Sequence, residues 1–159
     1  MKILIVSDTH RYNNNFIDVL KEESPIDMLI HCGDVEDCEE FYYDSVDCDV
    51  HIVAGNNDIF SDLPTEEEFE ICGHKVFLTH GHHYYVSVGT KILRQEALLR
   101  GADIVMYGHV HRPLIEVVSG ITIINPGSLT YPRQDTRRPS YIIMTAEPDG
   151  NVDFEIKYL

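Results

Sequence analysis

Short, almost continuous apolar runs recur along the chain and are separated by polar segments. These runs predict strands at residues 2–7, 27–32, 49–54, 74–79, 102–107, 121–125, 140–145 and 152–158. Several of them are apolar throughout instead of alternating with polar residues, which is typical of strands covered on both faces. The pattern therefore predicts an α/β fold built in layers.

Three of the segments between these runs predict helices, namely NNFIDVLKEE (14–23), VEDCEEFYYD (35–44) and VGTKILRQEALLRG (88–101). The third ends in Gly101, and glycine is favoured just beyond the C-terminus of a helix. Strands alternate with helices over the first two thirds of the chain, and β-hairpins are predicted for the last third. The acidic stretch TEEEFE (65–70) is interpreted as a solvated loop or a strand edge.

The length of 159 residues and the apolar content of 43% suit one ordinary domain around a single core. No linker, low-complexity tract or clear repeat divides the chain, so one domain is predicted over residues 1–159. The apolar run in MKILIVSDTH is too short for a signal sequence or a membrane span. We therefore expect a soluble, cytoplasmic protein.

The net charge of −15 argues against nucleic acid or an anionic membrane as a partner. Both kinds of partner require a basic surface that releases counterions or meets lipid headgroups. An anionic substrate must therefore meet positive charge that is supplied locally.

Four cysteines, at positions 32, 38, 48 and 72, occur without any C-x-x-C pair. This spacing fits neither a zinc finger nor a redox motif. We expect all four to be reduced and structural, with Cys32 and Cys72 in strands.

Polar side chains follow five successive predicted strands at the points where the strands end. They are Asp8 to His10, Gly33 and Asp34, Gly55 to Asp58, His80 to His83, and Gly108 to His111. In open α/β sheets ligands bind outside the carboxyl ends of the strands. Carboxylates, an amide and imidazoles suit manganese, iron, zinc or nickel, and no thiolate is needed. The sequence therefore predicts a metal site.

The spacing within two of these motifs, D-x-H and H-x-H, predicts that their members converge. In extended backbone, residues i and i+2 point to the same side. The glycines at 33, 55, 81 and 108 would let the backbone turn sharply and approach closely. Each motif alone is weak, and only the ordered series at five strand ends supports the prediction.

The same series resembles the motifs of the calcineurin-like metallophosphoesterase superfamily. The small size and the segment INPGSLTYPR (124–133) are similar to its branch of small bacterial and archaeal phosphodiesterases of the YfcE type, which is related to a retromer scaffold subunit. The resemblance implies a four-layer α/β/β/α sandwich of two mixed β-sheets flanked by helices. It also implies two divalent metal ions at the strand ends, with manganese as first choice and nickel, iron or zinc as alternatives.

Carried over residue by residue, the resemblance implies two metal positions that share one bridging carboxylate. One ion would be held by Asp8, His10 and His111, the other by Asn56, His80 and His109, with Asp34 between them. Two cations about 3.5–4 Å apart can bind a shared hydroxide and clamp the phosphoryl oxygens for in-line attack. The implied function is a metal-dependent phosphodiesterase that acts on a small phosphate ester.

Two other functions stay open beside this one. A phosphomonoesterase or nucleotidase would use the same metal cage. A non-catalytic scaffold like the retromer subunit is disfavoured, because all seven ligand positions carry competent residues. The resemblance also suggests a homodimer or homotetramer.

The sequence departs from the wider superfamily at Asn57. Many members have histidine there, which is credited with protonating the leaving oxygen, and a carboxamide cannot be a general acid at neutral pH. We therefore expect a preference for acidic leaving groups, or another donor such as His82, His83 or water. The YfcE-type branch tends to lack this histidine too.

Two further residues are assigned roles at the site. Asp58 is predicted either to orient a ligand or a neighbouring imidazole, or only to cap a turn. Arg133 is predicted to contact substrate phosphate, because a guanidinium matches phosphate oxygens. Arg137 and Arg138 are interpreted as solvated surface charge.

Overall fold

The computed structural model describes all residues from 1 to 159. The strands are β1 (Lys2–Val6), β2 (Met28–His31), β3 (Asp49–Ile52), β4 (Glu66–Ile71), β5 (His74–Thr79), β6 (Ile104–Met106), β7 (Pro113–Val118), β8 (Ile121–Pro126), β9 (Ser140–Ala146) and β10 (Val152–Tyr158). The helices are α1 (Asn14–Glu23), α2 (Glu39–Ser45) and α3 (Lys91–Arg100), and a short 3₁₀ turn covers His82–Tyr84. None of the helices has the length and hydrophobicity needed to cross a membrane.

The strands form two mixed five-stranded sheets. The first has the order β10-β9-β1-β2-β3, in which β1, β2 and β3 are parallel. The second has the order β4-β5-β6-β8-β7, in which β5, β6 and β8 are parallel. The carboxyl ends of the central strands therefore lie at one edge of each sheet.

Alternate residues of β1 show how the layers are built. Ile3 and Ile5 belong to the core between the two sheets. Leu4 and Val6 point the other way and pack with Phe16 of α1 on the outer face of the first sheet. A third core packs α3 against the outer face of the second sheet. This confirms the predicted four-layer α/β/β/α sandwich and explains the continuous apolar runs, because both faces of the central strands are buried.

Two strands were not predicted as such, and both lie at sheet edges. β4 contains three glutamates in its first three residues, and its apolar Phe69 and Ile71 alone face the core. β7 begins at Pro113, and proline is unusual inside a sheet except at an edge. Of the two interpretations of TEEEFE, a solvated loop or a strand edge, the structure supports the strand edge.

The prediction that Cys32 and Cys72 lie in strands is wrong. Cys32 lies one residue beyond β2, and Cys72 lies in the turn between β4 and β5 with φ of 47°. All four cysteines are free thiols. The second predicted helix also begins later, at Glu39, because residues 35–38 form a loop in which Glu36 and Asp37 have positive φ.

Candidate metal centre

The loops that follow β1, β2, β3, β5 and β6 meet at one edge of the sandwich and bring all seven predicted ligands together. These five strands are not consecutive in the chain, because β4 lies between β3 and β5. In each of two groups of three residues, every residue has one ligand atom that lies within 4.8 Å of the ligand atoms of the other two. These groups are Asp8, His10 and His111, and Asp8, Asp34 and His80.

The first half of the cluster surrounds one carboxylate oxygen, Asp8 Oδ1. His111 Nε2 lies 3.0 Å from it and His10 Nε2 lies 3.9 Å from it. The two imidazole nitrogens are 3.4 Å apart. Asp8 is fully buried, and its Oδ1 accepts no hydrogen bond. Its other oxygen accepts hydrogen bonds from Ser7 Oγ and from the backbone N–H of His109.

The second half surrounds the side-chain oxygen of Asn56. His109 Nδ1 lies 2.8 Å from Asn56 Oδ1 and His80 Nε2 lies 3.2 Å from it. The ring centroids of His80 and His109 are 5.3 Å apart. This is the grouping that the family resemblance implies for a second metal position.

Asp34 lies between the two halves. Its Oδ2 is 3.8 Å from His10 Nε2 in the first half and 3.5 Å from His80 Nε2 in the second. The residue is almost completely buried. A single carboxylate therefore faces both groups of imidazoles, which is the position that a bridging ligand requires.

When neutral, three of the imidazoles are held in the tautomer that a metal needs. His10 Nδ1 donates to Glu36 Oε1, His80 Nδ1 to the Cys32 carbonyl and His111 Nδ1 to the Tyr131 carbonyl. Because the proton of a neutral imidazole is used in each of these bonds, each Nε2 presents a lone pair. Metal-bound histidines are oriented by outer acceptors in this way.

The centre therefore brings carboxylate oxygens and imidazole nitrogens together at close range. Burial opposes ionisation of Asp8, but contacts with His111 and nearby imidazoles outweigh it and lower its pKa to about 2. Burial also lowers the pKa of His111, but contact with the Asp8 carboxylate outweighs it and raises the pKa. The orphaned Asp8 oxygen and the convergent Nε2 atoms fit divalent cations held by nitrogen and oxygen ligands.

The ligands converge through left-handed backbone rather than through extended backbone. Five of the seven have positive φ, namely Asp8 (54°), His10 (45°), Asp34 (60°), His109 (70°) and His111 (56°). The expectation that D-x-H and H-x-H lie in extended segments is therefore wrong, because these residues turn sharply after their strands. Unfavourable φ values of this kind cluster at functional sites.

Glycines allow the close approach of the loops, as expected. A Cβ atom on Gly108 would lie 2.1 Å from Ser7 Oγ and 2.8 Å from Asp8 Oδ2. A Cβ atom on Gly55 would lie 2.1 Å from Asp34 Oδ1. Side chains at these positions would displace both carboxylates.

Asp58 fixes the backbone of two loops and forms no hydrogen bond with an imidazole. Its Oδ2 accepts the N–H groups of Asp34 (2.8 Å) and Gly55 (2.7 Å), and its Oδ1 accepts the N–H of Glu36 (2.6 Å). It therefore caps the turn and also holds the backbone of Asp34. The contacts therefore agree with both predicted roles, since the carboxylate caps the turn and orients the proposed ligand Asp34 through its backbone.

Asn57 donates twice to the central carboxylate. Its backbone N–H lies 2.9 Å from Asp34 Oδ1 and its Nδ2 lies 2.7 Å from Asp34 Oδ2. The side chain thus orients Asp34 and does not stand apart as a proton donor.

His82 lies beside the second half of the cluster, with its ring centroid 5.4 Å from that of His80. Burial and the neighbouring imidazoles lower its pKa to about 4, and its Nδ1 is buried without a hydrogen-bond partner. Arg133 lies near the first half, since its backbone N–H donates to the His111 carbonyl. Its side chain is exposed.

Sequence patterns alone did not identify three residues that support the ligands. Glu36 fixes His10, and a buried chain of hydrogen bonds links His31 and Tyr42 to Thr9. No motif spacing marks Glu36, His31 or Tyr42. The one available signal was that Thr9 lies between two predicted ligands.

The chain is similar to known proteins in both sequence and fold. The model of the calcineurin-like phosphoesterase superfamily domain matches residues 1–149. The probable metallophosphoesterase YsnB of Bacillus subtilis is 34% identical over 151 residues, which cover 94% of this chain and 87% of that protein. A phosphodiesterase of Methanocaldococcus jannaschii is 33% identical over 148 residues, covering 80% and 83%. The structure of zinc-bound Vps29 from Entamoeba histolytica has a TM-score of 0.78 over 99% of both chains at 23% identity, which shows a shared fold.

Proposed function

Because the chain belongs to the calcineurin-like phosphoesterase superfamily, we propose that it is a metal-dependent phosphodiesterase that hydrolyses a small phosphate ester. The observation that supports this function is the convergence of three imidazole lone pairs on the buried carboxylates of Asp8 and Asp34. In the proposal, Asp8, His10 and His111 hold one divalent ion, Asn56, His80 and His109 hold the other, and Asp34 bridges them. Manganese is the first choice of metal.

The bound ions would lower the pKa of water to near neutrality and offset the charge of the phosphate. This explains how a chain with net charge −15 can accept an anionic substrate. The chain itself contributes orientation: Asn57 fixes both oxygens of Asp34, and Ser7 fixes the second oxygen of Asp8. Such fixed ligands lose little freedom when the substrate arrives.

No strong general acid stands at the position of Asn57. His82 has a pKa of about 4 because of burial and neighbouring imidazoles, so it is neutral at pH 7 and holds only one ring proton. The departing alkoxide must therefore be a good leaving group or take its proton from His83 or water. The proposed enzyme should therefore hydrolyse a phosphodiester with an acidic leaving group faster than one with a weakly acidic leaving group.

The test uses protein stripped of metal by a chelator, with bis-p-nitrophenyl phosphate as substrate. We expect hydrolysis only after Mn²⁺ or Ni²⁺ is returned, and no turnover with any divalent metal would remove the enzyme proposal in favour of a scaffold. Comparison with p-nitrophenyl phosphate separates the diesterase from the monoesterase or nucleotidase. A clear preference for the monoester would overturn the choice made here.

The matched variants are Asp34→Ala and Asp37→Ala. Both remove a carboxylate from the loop after β2, but Asp37 is exposed and pairs only with Arg11. We expect Asp34→Ala to lose activity and metal retention together, counted by metal analysis of the purified protein. Asp37→Ala should retain both. An active Asp34→Ala variant would contradict the assignment of the bridge.

A further inference from the structure

A small depression lies beside the candidate metal centre and carries positive charge. It has a volume of about 250 Å³ and is lined by Ser87, Val110, Arg112 and Arg133. Val110 lies between His109 and His111 in the sequence, so the depression lies next to the loop that carries two of the proposed ligands. A second depression of about 400 Å³ shares Arg133 and is also lined by Arg137.

The arginines of this region have no acidic partner, although the chain has 27 acidic residues and only 12 lysines and arginines. Six other basic side chains lie within 4.0 Å of a carboxylate. The guanidinium groups of Arg112, Arg133 and Arg137 form no such pair, and no acidic residue lines either depression. In so acidic a protein, unpaired arginines grouped at one rim point to an external anion.

The two arginines of the smaller depression are linked to each other and to the centre. Arg112 Nε donates to the Arg133 carbonyl at 3.1 Å, which leaves both of its Nη groups without a partner. The backbone N–H of Arg133 donates to the His111 carbonyl at 2.9 Å. The backbone of Arg133 is therefore hydrogen-bonded to His111, a proposed metal ligand, and Arg112 is hydrogen-bonded to Arg133.

The dimensions suit part of a substrate rather than a whole one. Sites for complete small molecules measure roughly 300–1,000 Å³, which is larger than this depression. Paired guanidinium groups match the oxygens of a phosphate and form charge-assisted hydrogen bonds. The exposed Ser87 hydroxyl adds a further donor to the lining of the depression.

We propose that Arg112 and Arg133 bind a second phosphate group of the substrate while the first is hydrolysed at the metal centre. This inference rests on the proposed phosphodiesterase function and specifies its substrate class, namely small phosphodiesters that carry an additional terminal phosphate. The metal centre acts on the ester, and the arginine pair selects the molecule.

The experiment compares p-nitrophenyl alkyl phosphodiesters with ethyl, propyl and butyl chains that end either in a methyl group or in a phosphate. The scissile bond and the leaving group are identical within each pair. We expect the terminal phosphate to raise kcat/KM at least about tenfold for one or more chain lengths, as charge-assisted hydrogen bonds allow. An active wild-type protein that shows no gain at any length would overturn the subsite alone.

The variants are Arg112→Gln and Arg133→Gln, with Arg94→Gln on α3 as the control that removes the same charge elsewhere. We expect the ratio of kcat/KM between phosphate-ended and methyl-ended esters to fall toward one in the first two and to stay unchanged in Arg94→Gln. An equal fall in all three would mean that only the overall charge matters. If no ester is hydrolysed, which would refute the proposed function, calorimetric binding of the same pairs to the metal-loaded protein decides: tighter binding of the phosphate-ended ester must depend on Arg112 and Arg133, and equal affinity overturns the proposal.

Discussion

Replacing Tyr42 by phenylalanine tests the buried network beneath the metal centre. Tyr42 is fully buried, and its Oη lies 2.6 Å from Thr9 Oγ1 and 2.7 Å from Asn13 Oδ1. Asn13 Oδ1 can only accept, so the single Tyr42 hydroxyl proton goes there, and the Thr9 hydroxyl donates to Tyr42. Gly33 N–H donates to His31 Nδ1, so His31 Nε2 carries the imidazole proton and donates to Thr9 at 3.0 Å.

The expected loss of stability follows from the hydrogen-bond acceptor that the Thr9 hydroxyl loses. In Tyr42→Phe the proton of the buried Thr9 hydroxyl has no acceptor, because the neutral His31 already donates to it. Burial lowers the pKa of His31 to about 3, so His31 stays neutral in the assay. An unsatisfied buried donor costs about 1–3 kcal/mol. Asn13 is half-buried and can bond to water, so it adds little.

For a protein of this size each kcal/mol lowers Tm by roughly 2–4 °C, so a loss of about 2 kcal/mol corresponds to a fall of ~4–8 °C. Calorimetric unfolding of the chelated protein measures this shift. The control is Tyr43→Phe, the next residue of α2, which is 46% exposed and whose hydroxyl forms no hydrogen bond within the chain. Substitutions of such surface groups change stability by less than about 0.5 kcal/mol. Equal shifts for the two variants would refute the proton assignments.

Three further substitutions test other parts of the molecule. Gly108→Ala should lower divalent-metal affinity at least about tenfold by isothermal titration, because its Cβ would lie 2.8 Å from Asp8 Oδ2; unchanged affinity would show that Asp8 can move freely. Asn57→His should raise turnover most for esters with poor leaving groups, measured over a series of phenols; an equal effect on every ester would mean that the residue only orients the centre. Glu23→Gln should reduce stability by about 1–3 kcal/mol at pH 7 in urea unfolding. Burial opposes ionisation of Glu23, but Lys157 and other partners outweigh it and lower its pKa to about 2. The stabilisation is therefore present above the unfolded-state pKa and is lost as pH falls from about 4.5 toward 2, so Glu23→Gln should have a much smaller effect at pH 2; an equal effect at both pH values would contradict the role of the charge.

The layered fold could be predicted from the sequence because burial on both faces leaves a direct pattern. The apolar runs of β1, β2 and β6 belong to strands with both faces covered. Edge strands leave a weaker pattern, since only one face is buried and the other can be charged. This is why β4, with its glutamates, and β7, which begins at Pro113, were not identified.

The ligands could be predicted as a set, but their local geometry could not. Chain order and residue type identify His10 and His111 as candidates, whereas their left-handed backbone depends on packing against other loops. The groups that accept hydrogen bonds from these imidazoles are even harder to predict from the sequence. Tyr131 accepts from His111 through its backbone carbonyl, and any residue type supplies a carbonyl. Sequence therefore identifies the atoms that would contact a metal more readily than the atoms that orient them.

The distribution of charge connects the metal centre with the proposed subsite. The carboxylates of Asp8 and Asp34 are buried within the centre, where bound cations would neutralise them. Arg112 and Arg133 lie outside the metal centre, where they line the neighbouring depression without an acidic partner. If the arginines served only to offset the acidic surface, they would be expected in pairs with it, as Arg100 is with Glu66 and Glu68. Because these two arginines line one depression and form no ion pair with a carboxylate, an anion from solution is the partner that we propose for them.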